Sequence, residues 1–74
     1  MLNKYDLPRS KWENLIDEWI FNDIDRKMLK MRLLDGARIQ EIADEINLSI
    51  DQTKRRLYRS QNRLFKKVDK IKNL

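Results

Sequence analysis

The chain has 74 residues, a formal net charge of +5, 39% charged and 41% hydrophobic residues, and a single glycine and proline. A chain this short supports one hydrophobic core, and the scarcity of breakers favours helices over strands. The expectation is therefore an all-α fold, a small four-helix bundle with residues 1–74 as one domain. With no cysteine or histidine, disulfides, zinc-finger ligand sets and histidine general bases are excluded, and neither a cofactor nor a metal site is expected.

The first helix is expected over about residues 10–21. After Pro8, the residues Trp12, Leu15, Ile16, Trp19 and Ile20 recur at i, i+3, i+4, i+7 and i+8 and form a one-sided apolar stripe. Trp12 and Trp19 are read as core, and Glu13, Asp17 and Glu18 on the opposite side as solvated charge rather than a paired-carboxylate site. The second helix, residues 22–35, opens on Asn22 as cap with Asp23 and Asp25 placed well against the helix dipole. Its apolar set is Ile24, Met28, Leu29, Met31, Leu33 and Leu34, and Asp35-Gly36 stops it by left-handed backbone at the glycine.

The third helix is short, residues 38–46, with Ile39, Ile42, Ala43 and Ile46 on one face. Only Asn47, Leu48 and Ser49 separate it from the fourth. Asn47 tolerates a left-handed turn, Leu48 plugs the core, and Ser49 with Gln52 makes a capping box. The fourth helix, residues 49–72, carries Thr53, Leu57, Ser60, Leu64, Val68 and Ile71 along one stripe. Its apolar tail either packs on Trp12 and Trp19 or pairs with a second copy in a homodimer.

The charge is unevenly spread. Through Ala37 seven basic residues balance seven acidic ones, whereas the rest of the chain has ten basic and five acidic. Between Lys54 and Lys72 nine cations face one acid, Asp69. Such a concentration is the electrostatic footprint of a polyanion partner.

Two helices joined by a three-residue turn, with small Ala43 where they approach most closely, match the spacing of a helix-turn-helix over about residues 38–64. In that device the second helix enters the major groove of double-stranded DNA by its N-terminal part. With Thr53 at the centre of the buried stripe, Asp51, Arg55, Tyr58, Arg59 and Asn62 point outward, with Gln52 at the edge of that surface. These six are the candidate base-facing residues, Arg suiting guanine and Gln or Asn suiting adenine, while Asp51 has the alternative of orienting Arg55. Lys54, Arg56 and Arg63 flank the arc and are candidate phosphate contacts. Ser49 either caps the helix alone or also contacts a phosphate with its hydroxyl and the free N–H groups beside it.

The segment Leu48-Ser49-Ile50-Asp51-Gln52-Thr53-Lys54-Arg55-Arg56-Leu57, continuing to Arg63-Leu64, resembles the recognition helix of sigma-factor region four, particularly of the extracytoplasmic-function type. Upstream, Gly36 and then Arg38-Ile39-Gln40-Glu41-Ile42-Ala43 resemble the opening of that family's motif, and the likeness covers about residues 25–65. Three positions depart from it: Arg38 stands at the usual serine cap, Thr53 at a usually buried valine, and Arg55 at a usually small residue. The first two are expected to weaken the helix start and the core slightly, and the third alters base preference.

The resemblance implies reading of a promoter element by the fourth helix. The length leaves no room for the further domain of a complete sigma factor, so the expectation is a stand-alone regulator like the short sigma-like proteins of phages and mobile elements. Two alternatives are an RNA polymerase-binding module that redirects or inhibits the host enzyme, and a small-terminase-like DNA-packaging protein. No nucleophile–base pair or glycine-rich phosphate loop is present, so an enzyme is not expected. No stretch approaches the roughly 20 apolar residues of a membrane span, and residues 1–6 lack the apolar core of a secretion signal, so a cytoplasmic protein without membrane contact is expected.

Overall fold

Pro8 holds φ −67° and ψ 158°, and its carbonyl accepts from the amides of Lys11 and Trp12 at 3.1 and 3.2 Å, which starts α1 (Arg9–Trp19). The computed structural model describes the backbone of residues 7–72 and the side chains of residues 7–70. Helix α1 ends before Phe21, because Ile20 turns extended (φ −112°) to bury its side chain while Phe21 is left 75% exposed. Asn22 then caps α2 (Asp23–Leu33), its Oδ1 accepting from the amides of Ile24 and Asp25 at 2.9 and 3.1 Å.

The expected apolar face of α2 is packed from Met28 onward, but Ile24, one turn earlier, is 42% exposed. Helix α2 ends at Leu33, two residues short of the expected boundary; beyond the Leu34 cap Gly36 takes φ +67°, a value that favours glycine, and the Ala37 amide folds back onto the Met31 carbonyl at 2.9 Å. Arg9 ties this end to the start of α1, donating to the Leu34 carbonyl and to Asp35, each at 3.1 Å.

Helix α3 (Ile39–Ile46) begins on Arg38, whose side chain has no acceptor to offer. Half of the cap is recovered by Glu41, which reaches back to the Arg38 amide at 2.9 Å. Helix α4 (Ile50–Lys72) is the longest, about 34 Å at 1.5 Å per residue, in a molecule whose longest dimension is 38 Å. Its backbone approaches each of the other three helices, whereas the Cα atoms of α1 and α3 stay more than 8 Å apart.

The result is an all-helical bundle with no strand among the described residues. Its core gathers Trp12, Leu15 and Ile16 of α1, Ile20 just beyond it, Met28 and Leu29 of α2, Ile42 of α3, and Leu57, Leu64 and Val68 of α4. The stripe expected on α4 is buried at Thr53, Leu57, Ser60, Leu64 and Val68; the Ile71 and Lys72 side chains lie outside the described residues, as does the segment 1–6. The tail of α4 packs inside the chain: Phe65 meets Trp12 edge-on at 5.9 Å between ring centroids, and the Lys67 ammonium sits 4.8 Å from the centre of the Trp19 ring. No described helix is long and apolar enough to cross a membrane.

Candidate nucleic-acid interface

The joint between α3 and α4 is built from local chemistry that the residues dictate. Asn47 adopts left-handed backbone (φ 60°, ψ 43°), the conformation that asparagine tolerates best after glycine, and its amide bonds the Ala43 carbonyl. The Leu48 amide joins the same carbonyl at 3.1 Å, closing the end of α3. Ser49 and Gln52 form the reciprocal cap: the Gln52 amide donates to Ser49 Oγ at 3.1 Å, and the Ser49 amide donates to Gln52 Oε1 at 3.3 Å.

Thr53, buried in the place of an expected aliphatic side chain, donates its hydroxyl to the Ser49 carbonyl at 2.8 Å. A threonine is close in shape to valine, and this bond removes the cost of burying its oxygen. Ala43 is 3% exposed, consistent with a close approach of α3 to its neighbours.

Asp51, Gln52, Arg55, Tyr58, Arg59 and Asn62 are all exposed on the outer face of α4. Gln52 has its oxygen committed to the cap, which leaves its amide N–H groups to face outward. Among the described residues no ion pair joins Asp51 to Arg55, or engages Arg59. Of the flanking set, Ser49, Lys54 and Arg63 are exposed too.

Arg56 is placed differently. It is half-buried, its Nε donates to Asp25 Oδ1 at 3.2 Å, and its Nη2 reaches Asn22 Oδ1 at 3.2 Å and Asp25 at 3.1 Å. The guanidinium expected to flank the DNA-facing arc is thus bound to the cap and first turn of α2.

Among the described residues, ion pairs engage four of the six cations on α1 and α2, all but Lys11 and Arg32. Arg9 pairs with Glu13 and Asp35, Arg26 with Asp23, Lys27 with Glu45, and Lys30 with Asp17 at 2.8 Å. The hydrogen bond from Lys30 holds the Asp17 carboxyl below its usual range, partial burial opposing this and the charges of Lys30 and Arg26 adding to it. On α4, by contrast, Lys54, Arg55, Arg59, Arg63, Lys66 and Lys70 are exposed and in no ion pair among the described residues.

Five of these, Arg55, Arg59, Arg63, Lys66 and Lys70, are spaced i, i+4, i+8, i+11 and i+15 and share one face. A shallow groove along it is lined by Arg59, Asn62, Arg63, Lys66, Lys67 and Lys70. Lys66 and Lys70 stand outside the arc singled out from sequence, although the same spacing, continued along the helix, includes them. Among the described residues no group of three or more carboxylates gathers as a metal site. No protein-family model, curated protein or solved structure matches the chain.

Proposed function

We propose that this protein binds double-stranded DNA sequence-specifically through α4, with α3, the Asn47–Ser49 turn and α4 working as a helix-turn-helix of the sigma region-four kind. The observation that carries the reading is the contrast in pairing. Carboxylate neighbours engage Arg9, Arg26, Lys27 and Lys30 on α1 and α2, whereas six cations of α4 stand exposed and in no ion pair among the described residues, on a helix whose start is reciprocally capped. A ridge of free cations beside Gln52, Tyr58 and Asn62 combines a phosphate-binding charge with groups that hydrogen-bond base edges.

In this reading Arg55 and Arg59 contact bases, with Gln52 offering its amide N–H groups. Lys54, Arg63 and the Ser49 hydroxyl meet phosphates. Arg56 acts as a positioning residue, holding α4 to the N-terminus of α2. The reading takes one chain to one site, a stoichiometry favoured by the packing of Phe65 and Val68 in the tail of α4 against the core of the same chain. The biological role that fits is transcriptional regulation by a short sigma-like protein.

Selection of bound sequences from a random duplex pool, with the mass of the complex measured, tests this. Enrichment of one asymmetric motif at one chain per duplex is the expected result. Recovery of sequences indistinguishable from the starting pool removes the reading.

A further inference from the structure

Resting on the DNA-binding reading above, we propose that the C-terminal half of α4 is a second phosphate-binding surface, on which Lys66 and Lys70 grip the backbone of the same duplex beyond the base pairs that are read. The surface is the groove lined by Arg59, Asn62, Arg63, Lys66, Lys67 and Lys70. Its cations continue the face that carries Arg55 and Arg59, so a duplex lying against one half of the ridge meets the other.

Distance separates the two roles. At about 1.5 Å per residue, Lys66 and Lys70 lie roughly 16 and 22 Å along the helix from Arg55. The major groove is about 12 Å wide. When Arg55 is among base edges, the two lysines are past the groove wall, where the nearest anions are phosphates.

The residue types change in the same sense. Arginine, suited to bidentate recognition, occupies 55, 59 and 63, and lysine, a compact point charge, occupies 66, 67 and 70. The tail is also held in place: Val68 is 2% exposed, Phe65 is against Trp12, and the Lys67 ammonium is over the Trp19 ring. Its lysines are therefore presented by an anchored helix rather than a frayed end.

The test is a salt titration of binding to the selected duplex and to a random-sequence duplex, for the parent, for Lys66→Ala/Lys70→Ala, and for Lys11→Ala/Lys27→Ala. Both double variants lower the net charge of +5 equally. Removing two phosphate contacts reduces the slope of log affinity against log salt by about 1.8, equally on both duplexes. Between 50 and 200 mM salt the parent then loses about 12-fold more affinity than the tail variant, at the 0.9 per phosphate of counterion release. The Lys11/Lys27 control keeps the parent slope.

A tail variant with the parent slope, in a parent that discriminates between duplexes, overturns the inference and leaves the base-reading proposal standing. A reduced slope in a parent with no sequence preference supports the tail surface and removes base reading. Equal slope changes in both double variants overturn the inference as a mere effect of net charge, and a parent that binds neither duplex at 50 mM salt refutes both proposals.

Discussion

Replacing Arg56 by alanine removes the polar tie between α4 and the N-terminus of α2, and leaves Asp25, whose side chain is 22% exposed, without its cation. Two hydrogen bonds are lost, one to the Asp25 carboxylate and one to Asn22, the cap of α2. Hydrogen bonds involving charged groups contribute about 1.5–3 kcal/mol when well buried. Because the Arg56 side chain is 34% exposed, solvent screening brings this down towards the surface-pair range, and a loss of about 1–2 kcal/mol is expected.

For a domain of this size each kcal/mol lowers Tm by about 4–8 °C, which thermal denaturation followed by circular dichroism resolves easily. A double-mutant cycle with Asp25→Ala should give a coupling of about 1 kcal/mol. The salt dependence of DNA binding should keep its slope. An unchanged Tm together with a slope reduced by about one would show that Arg56 meets phosphate, and would refute its structural assignment.

Substitutions at three further positions probe the rest of the scaffold. Asn47 has φ 60°, so Asn47→Ala should cost about 1 kcal/mol in chemical denaturation while Asn47→Gly is nearly neutral or stabilising. Ala43 is 3% exposed, so Ala43→Leu should overpack its site and lose about 1–3 kcal/mol. Asp17 has its pKa lowered in the fold from 3.8. Its contribution is therefore present above that value and fades as pH falls through the lower folded value. Acid titration of Tm below about pH 3.8 should show a shallower decline in Asp17→Asn than in the parent.

The local punctuation of the chain is legible from sequence because it depends on residues a few positions apart. Asn22, Gly36, Asn47 and the Ser49–Gln52 pair each act through their own backbone or that of near neighbours, and each is found where their chemistry predicts. The burial of Thr53 is likewise readable from the α4 stripe, although the bond that satisfies its hydroxyl is visible only in three dimensions.

Periodicity fails where the facing element ends. Ile24 belongs to the apolar repeat of α2, yet nothing covers it sufficiently to bury it. The path of Ile20 similarly ends α1 two residues ahead of the expected boundary, since one core contact outweighs continuation of the helix. Arg56 illustrates the same limit for charge: its position on the α4 wheel suits a flanking phosphate contact, but its partners lie 31 and 34 residues away. The contact of Phe65 with Trp12 joins residues 53 positions apart, so it is visible only in three dimensions.

The central claim is that the exposed face of α4 reads base pairs as well as binding charge. It is tested most directly by the ratio of affinities for the selected and a random duplex, measured at one salt concentration for the parent, Arg55→Ala, Arg59→Ala and Lys54→Ala. The account predicts that each arginine variant loses about 1–3 kcal/mol of discrimination, whereas Lys54→Ala weakens binding to both duplexes alike and keeps the ratio. Equal losses on both duplexes for all three variants would contradict it.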